Sequence, residues 1–318
     1  VREARGRIGA QLRRTPLGNG EVWALLAAFG YALYQVFLGA PMQGDVHNVV
    51  AATVHAIPVM LFATAKGWVI KRRGKEMTSP FSDWRLIGAL VCNGLLLFVV
   101  ATPLMFESLR KGGVLIASPV SGTQVLFAAL LAAILLREPL TRTIVLGMII
   151  SVVGIFVLTT GQSGADLSPT WWLAVPFALG TALCWALAGV LLTYTMRRGV
   201  DPYQAVAIPT VVGVAALNGY LLVMGRMGLY GETSAGILVS LLVAGVLSAA
   251  ALISLTLALN LTTVASATTL NSLQVVIAPV IAWLFLGEDL NLAATVGILT
   301  ILAGVIMVQR GRLAALPD

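Results

Sequence analysis

The sequence predicts an all-α integral membrane protein with ten transmembrane helices, arranged as two inverted five-helix repeats. Three observations predict this fold class: long apolar segments, a one-sided distribution of lysine and arginine, and an internal repeat. Of the 318 residues, 58% are hydrophobic and only 10% are charged, whereas roughly 25% are charged in soluble domains. An ordinary soluble protein is excluded, because too few charged side chains remain to cover its surface.

Ten apolar segments have the length and composition of membrane-spanning helices. They lack the residue-by-residue alternation that is typical of membrane-spanning strands. Cys92 and Cys184 each lie inside such a segment, so neither a disulfide framework nor a zinc site is expected. Numbered along the chain, the predicted spans 1 to 10 are Glu21–Ala40, His47–Ala65, Arg85–Ser108, Val114–Leu136, Thr143–Thr160, Trp171–Met196, Tyr203–Met224, Ala235–Leu259, Val264–Leu286 and Leu292–Val308.

Lysine and arginine collect on one side of the predicted bundle. With the N-terminus placed in the cytoplasm, all but three of the 20 basic residues lie on the cytoplasmic side, the exceptions being Arg110, Lys111 and Arg226. Basic residues favour the cytoplasmic loops of membrane proteins, so we expect a multi-pass protein of the bacterial inner (plasma) membrane with both termini in the cytoplasm. Because the basic residues lie at helix ends and not in a stripe with aromatic residues, nucleic acid is not expected as a partner.

The chain contains an internal repeat. A shift of about 150 residues superposes the two halves and carries Gln124 onto Gln274, Glu138 onto Glu288, and Gly147 and Gly154 onto Gly297 and Gly304. Since five spans per half is an odd number, the second half must enter the membrane in the opposite sense. The predicted organisation is a basic cytoplasmic N-terminal segment (1–20), a first repeat (21–160), an external linker (161–170), a second repeat (171–309) and a cytoplasmic C-terminal tail (310–318).

Two matching stretches resemble the paired signature of a known family. They are Pro119-Val120 through Leu135-Leu136-Arg137-Glu138-Pro139-Leu140, and Ala278-Pro279-Val280 through Leu286-Gly287-Glu288-Asp289-Leu290. Both resemble EamA-type members of the drug/metabolite transporter superfamily. The resemblance implies a carrier in which spans 1–4 and 6–9 surround a central cavity while spans 5 and 10 are peripheral. Such carriers export amino acids and other metabolites, or move nucleotide sugars and phosphorylated sugars in organelles.

The middle of the predicted bundle is polar but uncharged. The central thirds of the spans contain no Asp, Glu, Lys or Arg, which favours a neutral, zwitterionic or amphipathic substrate, because a phosphate or dicarboxylate requires buried cations. The alternative for the polar side chains is hydrogen bonding between helices, and for the histidine it is simple packing in place of proton coupling. The candidate substrate-binding residues are Tyr34, Gln35, His55, Asn93, Ser121, Gln124, Trp185, Asn271 and Gln274.

Two of these groups are expected to face each other. Ser121 and Gln124 are three residues apart, as are Asn271 and Gln274, so each pair is predicted to share one helix face. The repeat then places the two faces on opposite sides of a cavity. Prolines inside the spans predict bends that serve as hinges for gating or are static kinks; the candidates are Pro58, Pro119, Pro209 and Pro279.

These observations predict a secondary transporter that exports a small neutral or zwitterionic metabolite, such as an aromatic or other amino acid, by alternating access. Its expected partners are the substrate and the lipid bilayer, as a monomer or homodimer, with no cofactor and no metal. An enzyme is not expected, because the spans offer neither a nucleophile with its base nor a metal cluster. Two alternatives stay open: a proton-coupled exporter of amines or cationic, amphipathic drugs, and a non-transporting membrane sensor.

Overall fold

The computed structural model describes residues 19–42, 44–72, 79–136, 140–162, 169–261, 267 and 270–314. These residues form helices joined by short turns, and no strand occurs among them. A π-helical segment, Leu95–Ala101, joins α3 to α4. The helices are α1 (Asn19–Met42), α2 (Asn48–Arg72), α3 (Trp84–Gly94), α4 (Thr102–Ser121), α5 (Gln124–Leu136), α6 (Arg142–Gln162), α7 (Ala174–Arg197), α8 (Pro202–Val223), the short α9 (Leu229–Glu232), α10 (Ala235–Leu261), α11 (Gln274–Leu286) and α12 (Leu292–Ala314).

Several helices begin or end at residues that the sequence marks for that role. Asp83 and Asp201 precede α3 and α8, and their carboxylates accept the backbone N–H of Arg85 and Tyr203, each at 2.9 Å. Such N-caps satisfy donors that have no partner inside the helix. Gly287 ends α11 in the left-handed conformation, at φ 70° and ψ 21°, which glycine adopts without steric cost.

Eight described helices are long and apolar enough to cross a membrane by length and composition. The difference from the ten predicted spans arises at spans 3, 4 and 9. No gap separates the parts of the chain predicted as spans 3 and 4. They belong to one helical run, Trp84–Ser121, which has 38 residues and contains Gly113. Span 9 begins at 264, in a part of the chain outside the described residues, and its described helix, Gln274–Leu286, has 13 residues.

The chain changes direction at Gly113, where φ is +66° and ψ is −175°. Leu86, before this point, packs against Val200, whereas Ala129, after it, packs against Ile144 at the same end of the bundle. The non-helical residue lies at the boundary predicted between spans 3 and 4, and the count of ten spans stays a prediction. Only a residue without a Cβ adopts this backbone conformation readily.

The bundle has two ends, which we name by a residue at each. The Glu288 end holds the connections at 44–47, 224–234 and 287–291 and the backbone break at Gly113, and the Arg85 end holds the connections that lead into α3, α6 and α8. The largest apolar core cluster includes Met42, Leu109, Val114 and Leu221, which lie toward the Glu288 end, and it joins helices of both halves. Smaller clusters lie toward the Arg85 end, one around Leu86 and one around Ala24.

Helices α6 and α12, which are the predicted spans 5 and 10, pack mainly against each other. Glycines form the contact: a Cβ at Gly154 would lie 2.6 Å from the backbone nitrogen of Ile301, and a Cβ at Gly147 would lie 2.7 Å from the carbonyl oxygen of Gly304. Small residues allow such close approach between helices in a membrane. The remaining long helices form the body of the bundle.

The two halves make a reciprocal contact near the middle of the bundle. Pro58 in α2 packs against Gly245 in α10, and Pro209 in α8 packs against Gly94 at the end of α3. The two contacts are related by the same shift that relates the halves of the sequence. Each proline therefore packs on a glycine of the opposite repeat, as an inverted repeat requires.

Candidate functional site

Two helix interruptions define the candidate site. The chain turns at Gly122–Thr123, directly before Gln124, and at Ser272–Leu273, directly before Gln274. Backbone hydrogen bonds of the i to i−3 type replace the α-helical ones there, from Thr123 to Val120 at 3.1 Å and from Val275 to Ser272 at 3.1 Å. The backbone at Gly122 and at Leu273 stays in the right-handed helical region, so each turn is a local tightening of the helical path.

The two turns lie within the residue pairs that are predicted to share a helix face. Ser121 ends α4 and Gln124 begins α5, and Asn271 precedes the turn before α11. A turn with i to i−3 hydrogen bonds also brings residues three apart to one side of the chain, so a shared face for each pair stays a prediction. Both glutamines are the first residue of a helix.

Gln35 in α1 and Gln274 in α11 come together from opposite halves. The amide nitrogen Nε2 of Gln35 donates a long hydrogen bond of 3.5 Å to Oε1 of Gln274. Gln35 is only 4% exposed, and among the described residues its Oε1 has no hydrogen-bond partner. The buried Oδ1 of Asn271 is also without a partner there. A buried amide oxygen of this kind is able to accept a hydrogen bond from a water molecule or from a ligand.

Tyr34, the residue before Gln35 in α1, contacts His55 in α2. Their ring centroids are 5.9 Å apart, and the His55 ring lies 5.9 Å from Phe106 and 6.5 Å from Phe98. The Nδ1 of His55 lies 3.3 Å from the carbonyl oxygen of Ala51, one turn earlier in α2. The imidazole is therefore held by aromatic packing and by its own helix.

The other predicted binding residues have local or packing contacts. Asn93 is buried and its Nδ2 donates to the carbonyl oxygen of Ala188 in α7 at 2.7 Å. The hydroxyl of Ser121 donates to the carbonyl oxygen of Ser118 at 3.1 Å, and Trp185 packs against the largest core cluster. Asn93 thus makes a hydrogen bond between helices, which is the role that the sequence allowed for the polar side chains besides substrate binding.

The four predicted hinge prolines all lie inside helices. Pro58 is in α2, Pro119 in α4, Pro209 in α8 and Pro279 in α11. Pro119 lies three residues before the turn at Gly122, whereas Pro279 follows the turn at Ser272. Pro58 and Pro209 make the reciprocal contacts with Gly245 and Gly94 described above, and a gating role for the four prolines stays a prediction.

The segments that carry the candidate residues contain no charged side chain. No Asp, Glu, Lys or Arg occurs in residues 22–44, 48–65, 86–106, 114–136, 172–196 or 264–287 of the sequence. Ionisable groups inside a membrane are costly and usually mark an ion or substrate pathway. The polar contacts available to a solute between the two repeats are therefore amides, hydroxyls and aromatic rings.

Charged side chains are instead organised at the Glu288 end. Oε1 of Glu107 accepts from Nη1 of Arg110 and from Nδ2 of Asn48, each at 2.8 Å. Arg110 also donates from Nη2 to the carbonyl oxygen of Val46 at 2.9 Å. Lys111 takes no part in this pair and lies 3.4 Å from the hydroxyl of Thr170.

Glu288 makes a contact that sequence reasoning missed. Its Oε1 accepts the backbone N–H of Val114 at 2.8 Å and its Oε2 accepts that of Leu115 at 2.7 Å. We call this contact the Glu288 clasp. Burial raises the pKa of Glu288, while the two N–H donors oppose that rise. The sequence signal was the alignment of Glu138 with Glu288; Glu138 itself lies outside the described residues.

An all-helical membrane protein built from two inverted halves, with an uncharged polar centre between them, has the architecture of a membrane carrier. The model of the EamA-like transporter family matches residues 18–160 and 172–310, one copy in each half. The chain therefore belongs to the EamA-like transporter family, whose members are transporters and not enzymes. The resemblance deduced from the paired sequence signature is confirmed.

Other comparisons bear on the fold. No curated protein sequence matches the chain. The chain is similar to a solved crystal structure that is described only as that of a protein. The two sequences are 16% identical, the TM-score is 0.60, and the match covers 90% of this chain and 97% of the other chain. At this identity the match shows a shared fold.

Proposed function

We propose that this family member is a secondary carrier that exports a small neutral or zwitterionic metabolite, such as an amino acid, by alternating access between the two repeats. The proposal places it in the bacterial inner membrane with both termini in the cytoplasm, because basic residues favour that side. The Glu288 end then faces outward.

The observation that carries the proposal is the contact between Gln35 and Gln274. It joins the two repeats at 3.5 Å, next to the turn at Ser272–Leu273. The oxygen that it leaves without a partner, Oε1 of Gln35, accepts a hydrogen bond from a substrate hydroxyl, amide or ammonium group. In a centre without cations, a solute with a net negative charge would have nothing to neutralise it.

The aromatic rings beside the pair suit the same class of solute. Tyr34 packs on His55 at a centroid distance of 5.9 Å, and Trp185 contacts the same core cluster. Such rings provide apolar contact area and attract an ammonium group to their faces. We propose that Ser121, Gln124, Asn93 and Asn271 line the path around these rings and that the four prolines bend when it opens.

The test is solute flux in proteoliposomes that contain the purified chain, with a panel of amino acids, amines and anionic metabolites, with and without a pH gradient. We expect flux of at least one neutral or zwitterionic solute. Flux confined to amines or cationic drugs, and only under a pH gradient, would support the proton-coupled alternative. Tight binding without any flux would support a sensor, and flux of dicarboxylates or phosphorylated solutes would contradict the proposed substrate class.

Substitution of the two glutamines tests the site itself. Gln35→Leu and Gln274→Leu remove one polar partner each, and we expect each to weaken substrate affinity about tenfold. Gln204→Leu is the matched control, because its Oε1 is also buried without a partner among the described residues but the residue lies in α8 against Gly67. Unchanged affinity in both test variants, or an equal loss in the control, would contradict a site at this pair.

A further inference from the structure

The Glu288 clasp joins segments from opposite halves of the chain. Glu288 lies in the turn between α11 and α12, in the second repeat, while Val114 and Leu115 lie in α4, in the first. Each carboxylate oxygen accepts one backbone N–H at less than 3 Å, which is the geometry of charge-assisted hydrogen bonds. The clasp therefore spans the interface between the repeats at one end of the bundle.

The backbone around Gly113 explains why these two N–H groups are available. Gly113 is non-helical, with φ +66° and ψ −175°, so Val114 and Leu115 begin a new helical run. The first N–H groups of a helix have no partner within it. A Cβ at Gly113 would also lie 2.6 Å from Oε1 of Glu288. Glycine here both frees the donors and leaves room for the carboxylate.

The clasp fixes a residue that takes part in an apolar contact between repeats. Val114 is fully buried, and a Cβ at Gly39 in α1 would lie 2.5 Å from its Cγ2, 3.8 Å from Leu286 and 3.9 Å from Leu109. We call these four residues the Val114 seal. It packs α1, α4 and α11 together at the Glu288 end, beyond Gln35 and Gln274.

We propose that the Glu288 clasp acts as a latch that holds this end of the transport path closed. While the clasp is formed, the Val114 seal is closed, and the clasp must break when this end opens. The inference rests on the proposed alternating-access function. A latch has to be reversible. Burial disfavours the carboxylate charge of Glu288, so release into water recovers hydration both for the carboxylate and for the two N–H groups.

The test measures opening by the accessibility of a buried thiol in lipid nanodiscs, which expose both faces of the protein. With Cys92 and Cys184 replaced by alanine, Ala282→Cys reports on the Glu288 end and Ala24→Cys on the Arg85 end; both alanines are fully buried. A membrane-impermeant thiol reagent is the probe. In Glu288→Ala we expect labelling of the Ala282→Cys reporter to become about tenfold faster, with no increase at the Ala24→Cys reporter.

Two further variants separate a latch from a merely structural contact. Glu288→Asp keeps the charge but is one methylene too short to reach both N–H groups, and Gly113→Ala pushes the carboxylate away. We expect both to open the same end. The matched control is Glu232→Ala, because Glu232 is an exposed carboxylate at the same end, and its labelling should match that of the parent protein.

The outcomes are distinct from those of the flux assay, because thiol labelling needs no substrate. If Glu288→Ala and Gly113→Ala lower the melting temperature but leave labelling at the Ala282→Cys reporter unchanged, the clasp is a helix cap only and the latch is wrong. Equal acceleration at both reporters would indicate general loosening and would also overturn it. A chain that carries no solute but shows selective labelling would keep the latch and contradict the proposed function.

Discussion

The two ends of the bundle use charged side chains differently. At the Glu288 end, Glu288 accepts the backbone N–H groups of Val114 and Leu115, and Arg110 donates to the carbonyl oxygen of Val46 at 2.9 Å. The partners in these contacts are separated by at least 64 residues in sequence. Asn291 adds a neutral link of the same kind, from Nδ2 to the carbonyl oxygen of Gly161 at 2.6 Å.

At the Arg85 end, cations lie over aromatic rings that are close in sequence. Arg198 lies 5.1 Å from the ring of Tyr194, and Arg85 lies 5.6 Å from the ring of its neighbour Trp84. Lys66 lies 6.0 Å from the ring of Phe62, one turn earlier in α2. Such pairs are expected where a helix leaves the apolar part of a membrane.

Charged side chains therefore bind distant segments at the Glu288 end, whereas those described at the Arg85 end make contacts close in sequence, as cations near rings or as helix caps. A charged group that binds the backbone of a distant segment holds that segment in place, and its loss leaves buried partners without hydrogen bonds. A cation on a ring of its own helix leaves no such partner behind. Substitutions at the two ends test this contrast, and substitutions in the middle of the bundle, where the two repeats make equivalent contacts, give the effect against which they are compared.

The largest expected effect is in the middle, where the two repeats should respond alike. In Gly94→Ala the new Cβ meets the backbone of Pro209, and in Gly245→Ala it meets the backbone of His55. Backbone cannot move aside as a flexible side chain can, so we expect each variant to lose about 3 kcal/mol of stability. The measurement is thermal unfolding in detergent.

The control for these glycines is Gly88→Ala in α3, because nothing lies within 4 Å of a Cβ at that position. Alanine favours a helix over glycine, so this control should be neutral or slightly more stable. If Gly94→Ala behaves like Gly88→Ala, or if only one of the two test variants is destabilised, the reciprocal proline–glycine contact is not a symmetric element of the fold.

The next effect is expected at the Glu288 end. Arg110→Ala removes the donors to Val46 and to the carboxylate of Glu107, and Asn48 loses its partner at Oδ1. Because the guanidinium is partly exposed, water replaces some of these bonds, and we expect a loss of about 2 kcal/mol. Thermal unfolding measures it, and Arg110→Lys should recover only part, since an ammonium cannot reproduce the planar fork.

Arg226→Ala provides the control at the same end, because Arg226 is exposed and shows no resolved ion pair among the described residues. We expect its stability to stay within about 0.5 kcal/mol of the parent protein. Equal losses in Arg110→Ala and Arg226→Ala would mean that net charge at this end, and not the contacts of Arg110, determines stability.

The sequence predicted the fold, and it named two of the residues that the structure brings together. Hydropathy, the position of the basic residues and the repeat were sufficient for an all-helical membrane protein of the right family, because each depends only on residue type and order. Gln35 and Gln274 were both candidates, and the structure brings them within hydrogen-bonding distance. Their pairing joins residues 239 apart, which no local pattern encodes.

The helix interruptions and the Glu288 clasp were not predicted, for a physical reason in each case. Ser272–Leu273 contains neither glycine nor proline, the residues that usually mark a break, so only tertiary packing explains the turn before Gln274. The clasp depends on two backbone N–H groups. Every residue except proline has such a group, and the sequence does not show which of them lack a helical partner.

The smallest effect is expected at the Arg85 end. Arg198→Ala removes a cation from the ring of Tyr194, a contact worth about 0.5–1 kcal/mol at an exposed site, and lipid headgroups and water replace much of it. Stability should therefore change by no more than about 0.5 kcal/mol in thermal unfolding. Arg85→Ala, on the same grounds, should match it. A loss in Arg198→Ala as large as that in Arg110→Ala would show that the cations of this end also hold tertiary structure, and the contrast between the two ends would then be wrong.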